Sequence, residues 1–251
     1  MTFVIAYGAS LARVTTSPTR LRSKEAALRT SRLFRHLGDA LVATVASSAV
    51  SRRFERGDLL WSAGDVAGGF TLIVSGLVGI RRRSPDGSAA IVALFGPREH
   101  IGLSATMAHG PYPADAVAAS PTVEVLTFDA KPLLERSHGD SSVAEALNAE
   151  LLVHTEALQE KIRIMTAGAV AQRLATLLLH LVERFGDDLG DGQLILPVAL
   201  SRSELAQFIG ATVETTIRSV SAWQKAGLIV TQKQGFVIRD AATLRRIALG
   251  A

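Results

Sequence analysis

A glutamate and an arginine lie four residues apart near the end of the chain, within the stretch SRSELAQFIGATVETTIRSVSAWQKAGLI at 201–229. If this stretch is helical, Glu214 and Arg218 share one helix face. A glutamate can accept a hydrogen bond from cytosine N4, and an arginine can donate two to guanine O6 and N7. The same pair could instead form an ordinary i,i+4 salt bridge on a solvated helix. Whether the pair recognises bases or forms a surface ion pair depends on the structure that the neighbouring residues form.

The flanking residues predict two helices joined by a tight turn. Ser201 followed by Glu204 three positions later is a capping box that starts the first helix. Gly210 can adopt the backbone angles of a tight turn, and Thr212 is a suitable N-cap for the second helix. Two short strands around a Gln-Gly turn are predicted within 229–240. Together these elements form a winged helix-turn-helix, whose second helix enters the DNA major groove.

The preceding segments predict the elements that position this unit. Short apolar runs interrupted by glycine over 52–130 favour a small barrel or sandwich of strands. The SPDG tetrapeptide at 84–87 predicts a hairpin turn. Residues 141–165 contain neither glycine nor proline and predict a long helix, followed by a possible hinge at 166–169.

Apolar side chains recur along the predicted long helix at a spacing typical of a helix that packs on a partner helix. The predicted dimer-facing residues are Leu147, Leu151, His154, Leu158 and Met165. The alternative is a helix that packs on its own domain. If the seam joins two copies of the chain, two His154 rings could face each other and respond to pH or a metal.

Composition excludes several classes of protein. The chain has no cysteine, which excludes disulfides, thiolate nucleophiles, cysteine-ligated zinc and thiolate-held iron–sulfur clusters. No apolar run reaches the roughly 18 residues of a membrane helix, so we expect a cytoplasmic protein without a membrane partner. The net charge is +4, but residues 1–35 contain seven basic residues and one acidic residue. Residues 201–239 contain five basic and two acidic residues, which is compatible with phosphate contact.

Three motifs, GDLLWSAGD, SGLVGI and GATVETTIRSV, follow one another in an order and spacing that resemble the CRP/FNR superfamily of regulators over roughly 31–249. The resemblance implies an α+β fold with an N-terminal cyclic-nucleotide-binding-like β-roll (jelly roll), a long dimerisation helix and a C-terminal winged helix-turn-helix. The expected divisions are a flexible arm at 1–30, the effector-sensing β-roll at 31–140, the dimerisation helix and hinge at 141–168, and the DNA-binding domain at 169–251.

The resemblance also implies a homodimeric transcription regulator that reads an inverted repeat in double-stranded DNA, with RNA polymerase as a further partner. VETTIR is similar to the FNR branch, which has valine where the CRP branch has arginine; an isoleucine replaces the serine expected before the shared arginine. The DNA site should therefore be related to the FNR consensus without being identical. The predicted base-reading residues are Val213, Glu214, Ile217 and Arg218. The predicted phosphate contacts are Ser201, Arg202, Thr212, Thr215 and Lys233.

The resemblance locates a candidate effector pocket but argues against cyclic AMP. Members that bind cyclic AMP use a Gly-Glu pair and an Arg-Ser pair to hold the ribose and the phosphate. Here the glutamate is replaced by leucine, and Pro113-Ala114 replaces Arg-Ser. A pocket without a cation should not hold a phosphate diester. The candidate pocket residues are Gly102, Leu103, Pro113, Ala114, Leu158 and Gln159.

The identity of the effector stays open at this point. Haem is one alternative, which would make the protein a gas- or redox-sensing regulator of the same fold. The candidate ligands are His36, His100, His109, His138, His154 and His180, each of which could instead be an ordinary structural histidine. Another small molecule, a protein partner or the absence of an effector are further alternatives. An enzyme gated by a β-roll is an alternative from a different class of protein. For this alternative the sequence contains no candidate catalytic residue, metal-ligand spacing or phosphate-binding glycine loop.

Overall fold

The computed structural model describes residues 18–83 and 88–250. Its helices are α1 (Pro18–Arg29), α2 (Asp39–Ser48), α3 (Leu103–Met107), α4 (Lys131–Ser137), α5 (Ser141–Thr166), α6 (Val170–Phe185), α7 (Arg202–Ile209), α8 (Val213–Lys225) and α9 (Ala241–Leu249). Its strands are β1 (Val50–Glu55), β2 (Leu59–Trp61), β3 (Phe70–Ser75), β4 (Val78–Arg83), β5 (Ala89–Phe95), β6 (His100–Ile101), β7 (Asp115–Ala118), β8 (Thr122–Phe128), β9 (Asp187–Gly190), β10 (Gln193–Leu196), β11 (Ile229–Gln232) and β12 (Gly235–Ile238).

The N-terminal half is a β-roll built from antiparallel strands. One sheet has the order β1-β8-β3-β6 and the other β2-β7-β4-β5. Apolar side chains from both sheets, such as Ile73, Val78 and Val125, are buried together in one core. Strands β4 and β5 pair out to Arg83 and Ala89, as the predicted hairpin requires, while the predicted turn at 84–87 lies outside the described residues.

The prediction of a flexible arm over 1–30 is wrong for its second half. Helix α1 occupies Pro18–Arg29, and Leu28 is fully buried in the core that α2 and α4 also line. Arg29 Nη1 donates to Phe34 O at 2.8 Å and Arg29 also pairs with Asp39. A helix of this length carries too few apolar residues for its periodicity to stand out in the sequence. Residues 1–17 of the predicted arm lie outside the described residues.

The long helix α5 is present, but the predicted seam does not lie along one surface. Leu147 is buried in the core of its own β-roll, and Leu151 packs against the same core. His154 Nε2 lies 2.9 Å from His100 O of the same chain, so the prediction that two His154 rings face each other is wrong. Leu158 and Met165 are exposed. The first half of α5 therefore packs on its own domain, which was the alternative, and its second half leaves apolar side chains uncovered.

The C-terminal part contains α6 to α9 and a sheet of order β11-β12-β10-β9. The sequence predicted the β11–β12 hairpin but not β9 and β10, because GDDLGDGQ is typical of a loop after a helix. The turn of the wing is Lys233–Gln234, and Gly235 already belongs to β12, which corrects the predicted Gln-Gly turn. The segment 167–169 separates α5 from α6 at the predicted hinge, where Gly168 has a φ of +92°.

The C-terminal part shares a core with the β-roll. Leu77 and Leu94 of the β-roll belong to the same buried cluster as Ile164 of α5 and Phe208 of α7. Two polar contacts also cross this junction: Arg184 Nη2 donates to both carboxylate oxygens of Glu99 at 2.7 Å, and Arg56 Nη2 donates to Glu204 Oε2 of α7 at 2.5 Å. The orientation of α7 is therefore coupled to the β-roll within one chain.

The packing of α1 predicts a specific loss of stability. Leu28→Ala should lower the free energy of unfolding by about 2–4 kcal/mol, because it deletes a fully buried side chain and leaves a cavity. Leu189→Ala, at an exposed position of β9, should change it by less than about 0.5 kcal/mol. Urea denaturation followed by circular dichroism measures both. Equal small losses would show that α1 does not pack as described.

Candidate nucleic-acid interface

The first helix of the candidate interface, α7, begins at the predicted capping box. Ser201 Oγ accepts from Glu204 N at 3.1 Å, and Glu204 Oε2 accepts from Ser201 N at 2.8 Å. Arg56, from the turn after β1, donates to the same Glu204 oxygen at 2.5 Å and to Ala199 O at 2.7 Å. The start of α7 is thus fixed both by its own cap and by the β-roll.

The turn between the two helices depends on glycine for two reasons. Gly210 has a φ of +60° and a ψ of +48°, a left-handed conformation that disfavours other residues. A Cβ at this position would also lie 2.6 Å from Met165 Cε of α5. A side chain at this position would therefore require the flexible Met165 side chain to move, so the left-handed backbone is the stronger of the two constraints.

The C-terminal end of α7 is capped by cations from two other helices. The last carbonyls of a helix lack partners within that helix, and positive charges nearby stabilise them. Lys161 Nζ of α5 donates to Phe208 O, while Arg173 Nη1 of α6 donates to Ile209 O at 2.7 Å. Burial lowers the pKa of Lys161 to about 8. The sequence indicated Lys161 only as a polar residue in an apolar seam, and its partner lies 47 positions away.

The second helix, α8, is anchored by one face and presents the other. Thr212 Oγ1 accepts from Thr215 N at 3.2 Å, as expected of the N-cap. Val220 and Trp223 are buried within the domain. The remaining face is exposed, and it carries the four predicted base-reading residues Val213, Glu214, Ile217 and Arg218.

Glu214 and Arg218 do not pair with each other: among the described residues no ion pair within 4 Å joins them. Arg218 Nη2 instead donates to Thr215 Oγ1 at 3.2 Å. The alternative of an i,i+4 salt bridge is therefore absent from this structure, and both charged ends remain available to a ligand. A charged helix face with an arginine and a glutamate one turn apart is suited to reading guanine and cytosine edges.

The predicted phosphate contacts surround this face. Ser201 and Thr212 lie at the N-termini of α7 and α8, and Lys233 is exposed in the turn of the wing. Arg202 is held more tightly than the sequence indicated, because its Nη2 donates to Thr231 Oγ1 at 2.8 Å and its guanidinium lies over the Phe236 ring. Burial lowers the pKa of Arg202. This residue therefore links α7 to the wing in addition to its predicted role.

The candidate effector pocket is partly filled by the chain itself. Gly102 has a φ of +87° at the start of α3, and Leu103 is fully buried in the domain core. The prediction that Leu103 lines a ligand pocket is therefore wrong: an apolar side chain at this position joins the core. Trp61 stacks on Tyr112 with the ring centroids 4.2 Å apart, and Trp61 Nε1 donates to Ala114 O at 3.1 Å.

The charged residue beside this cassette is already paired within the chain. Asp115 is buried directly after Ala114, and its carboxylate accepts from Ala63 N at 2.8 Å and from Arg83 Nε at 2.9 Å. Pro113 is exposed, and Leu158 and Gln159 are exposed on α5. A cyclic phosphate entering here would meet a carboxylate whose arginine is already engaged, which disfavours its binding.

The histidines divide into three exposed residues and three buried or partly buried residues, His100, His154 and His180. Those on the surface are His36, His109 and His138. His100 Nδ1 is 3.1 Å from Glu150 Oε1, and His180 Nδ1 is 3.4 Å from Glu160 Oε1. Burial would raise the pKa of Glu150, but the hydrogen bond and charge of His100 outweigh it and leave that pKa below its ordinary value. Within the described residues, no three histidine or carboxylate side chains are arranged to hold a metal ion.

A crevice of about 640 Å³ lies between the segment after α1, helix α5 and helix α6. It is lined mainly by charged side chains, including Arg32, Arg98, Glu156 and Glu183. Haem sites are largely apolar, so this lining does not favour the haem alternative. In the part of the chain that the structure describes, no helix is long and apolar enough to cross a bilayer.

Comparisons with known proteins assign both halves of the chain. Residues 51–137 match the cyclic nucleotide-binding domain family, and residues 172–247 match the Crp-like helix-turn-helix domain family. The CRP-like cAMP-activated global transcriptional regulator of Mycobacterium tuberculosis is 26% identical over 86% of this chain and 96% of that protein. The nitrogen fixation regulation protein FixK of Azorhizobium caulinodans is 27% identical over 82% and 81%.

A solved structure shows the same fold. FixK2 from Bradyrhizobium japonicum superimposes with a TM-score of 0.68 at 21% identity, over 79% of this chain and 96% of that one. The two domains and the relatives indicate a transcription regulator rather than a β-roll-gated enzyme. With the β-roll, the long helix and the winged helix-turn-helix in this order, the chain belongs to the CRP/FNR superfamily of transcription regulators.

Proposed function

We propose that the chain acts as a homodimer that binds an inverted-repeat DNA site and reads it through Glu214 and Arg218. The observation that carries this proposal is the exposed face of α8, on which the two charged side chains are not paired with each other. Because Thr216, Val220 and Trp223 anchor the opposite face, the helix can present this surface rigidly. A preorganised face loses less freedom on binding a major groove than a mobile one.

Dimerisation is supported by the second half of α5. Three apolar side chains are exposed there on one face of the helix: Leu158 (52%), Ile162 (63%) and Met165 (39%). A contiguous exposed apolar surface is typical of an interaction site, and a two-fold axis along α5 would cover it with its own copy. Two copies of α8 would then lie about 34 Å apart and read adjacent major grooves. We therefore propose these exposed residues as the dimer interface, instead of the predicted Leu147, Leu151 and His154.

The four predicted base-reading residues of α8 suggest how bases are distinguished. Arg218 would donate to guanine O6 and N7, and Glu214 would accept from cytosine N4. Val213 and Ile217 offer apolar contact to a thymine methyl group. The helix N-termini at Ser201 and Thr212, together with Thr215, Arg202 and Lys233, would contact phosphates and set the register.

The effector differs, in this proposal, from that of the mycobacterial relative. Leu103 occupies the core, and Asp115 beside the cassette holds the nearby Arg83. Both observations support a regulator that does not respond to cyclic AMP. Its activity would lie in the cytoplasm, where it would reach DNA and RNA polymerase.

Arg218→Ala should weaken binding to an FNR-like inverted repeat by about 1–3 kcal/mol and relax base preference at one position, while binding to random DNA changes little. Fluorescence anisotropy with the two labelled duplexes measures the difference. Arg53→Ala, which removes an exposed arginine from β1 of the β-roll, is the matched control and should leave both affinities unchanged. Equal weakening on both duplexes would contradict base reading by Arg218.

Ile162→Glu should raise the dimer dissociation constant by at least about tenfold, because it puts a charge into an apolar interface. Sedimentation equilibrium measures the dissociation constant, and affinity for the inverted repeat should fall with it. Leu249→Glu introduces the same charge at an exposed residue near the C-terminus and should leave the dimer intact. A stable dimer in the Ile162→Glu protein would place the interface elsewhere.

A further inference from the structure

Arg218 is held by a neighbour on its own helix. Its Nη2 donates to Thr215 Oγ1 at 3.2 Å, about one turn nearer the N-terminus of α8. Long side chains in an α-helix lean towards its N-terminus, so residues three apart can meet in this way. The N-terminal turns are also the part of a recognition helix that contacts base edges. The contact therefore holds the guanidinium group on the side of the helix from which it would read a base.

The hydroxyl group of Thr215 is itself fixed. Thr212 Oγ1 donates to Thr215 Oγ1 at 3.0 Å and accepts from Thr215 N at 3.2 Å. Thr215 is partly buried, and Ser219 Oγ donates to its carbonyl oxygen at 3.1 Å. Its β-branched side chain also has few rotamers available within a helix. Arg218 is thus bonded to an acceptor that is already in place.

This hydrogen-bond network leaves donors free for DNA. A hydroxyl group has two acceptor positions and one donor. Thr215 Oγ1 accepts from Thr212 and Arg218, so its own proton remains available for a phosphate oxygen. An arginine has five N–H donors, and among the described residues no acceptor is bonded to Arg218 Nη1 or Nε. The guanidinium group therefore keeps enough donors for both guanine acceptors while one of its nitrogens is held.

The same arrangement occurs in a second helix of the chain. In α9, Asp240 caps the N-terminus by accepting from Thr243 N at 2.8 Å, and Arg246 Nη2 donates to Thr243 Oγ1 at 2.7 Å. The N-cap, the threonine and the arginine are three residues apart in both helices. The contact therefore follows from helix geometry and this spacing, so α8 does not need DNA to form it.

We propose that Thr215 is a positioning residue that orients Arg218 towards guanine, and that it sets base specificity in addition to its predicted phosphate contact. An arginine loses rotamer freedom when it binds a base edge, and a guanidinium group that is already held loses less. This advantage arises only on a base that accepts from Arg218. A phosphate contact, in contrast, carries no sequence information. The inference rests on the proposed reading of DNA by Arg218 and deepens it.

The test combines protein variants with 7-deazaguanine, a base that lacks the N7 acceptor. Fluorescence anisotropy measures affinity for an FNR-like inverted repeat with guanine or 7-deazaguanine at the position where Arg218→Ala relaxes base preference. In the wild type, the modified base should weaken binding by about fivefold or more, because one of the two arginine bonds is lost. In Thr215→Val, which keeps the side-chain shape but not the hydroxyl group, this penalty should shrink to about twofold or less.

Two further variants separate positioning from a structural role. Thr215→Ser retains the hydroxyl group and should keep the wild-type penalty. Ser219→Ala removes a hydroxyl group from the same helix face, where it bonds to the backbone, and should also keep the penalty. If Thr215→Val weakens binding to both duplexes by the same factor, Thr215 is a phosphate contact only and the proposal is overturned. No penalty in the wild type would instead contradict base reading by Arg218, and the positioning role would fall with it.

Discussion

The first helix of the helix-turn-helix is held at both ends by residues from other elements, and the remaining geometry of the DNA-binding unit follows from this. At its start, Arg56 of the β-roll donates to the capping glutamate, Glu204. At its end, Lys161 and Arg173 donate to its last carbonyls. Between these points Phe208 is buried in a core that also contains Leu94 of β5. The helix cannot move relative to the β-roll without breaking these contacts, so a change in either domain can be transmitted to α8.

The parts of this arrangement that rest on local chemistry could be predicted from the sequence. The capping box of Ser201 and Glu204, the left-handed glycine at 210 and the N-cap at Thr212 each involve residues within a few positions of one another. Local hydrogen bonding and backbone freedom determine such features, and they therefore leave a readable pattern. The existence of α5 and of the hairpin strands β4 and β5 could be predicted for the same reason.

The parts of this arrangement that depend on contacts between distant residues could not be predicted from the sequence. The spacing of Leu147, Leu151 and Leu158 is the same whether the helix packs on its own domain or on a partner. In the structure Leu147 and Leu151 pack on their own domain, whereas Leu158 is exposed. The position of Leu103 in the sequence indicates a ligand-binding residue, but its burial depends on side chains from several other elements. The Arg184–Glu99 pair joins residues 85 positions apart and has no sequence pattern at all. Tertiary packing selects among arrangements that periodicity leaves equivalent.

The central claim is that a dimer of this chain reads DNA through the exposed face of α8. Selection of bound sequences from random duplex DNA by the purified protein tests it most directly. The account predicts enrichment of an inverted repeat whose half-sites are centred about one helical turn apart, each with a G·C pair that Arg218 and Glu214 can read. Enrichment of a single unpaired half-site, or no enrichment by protein shown to be folded and dimeric, would contradict it.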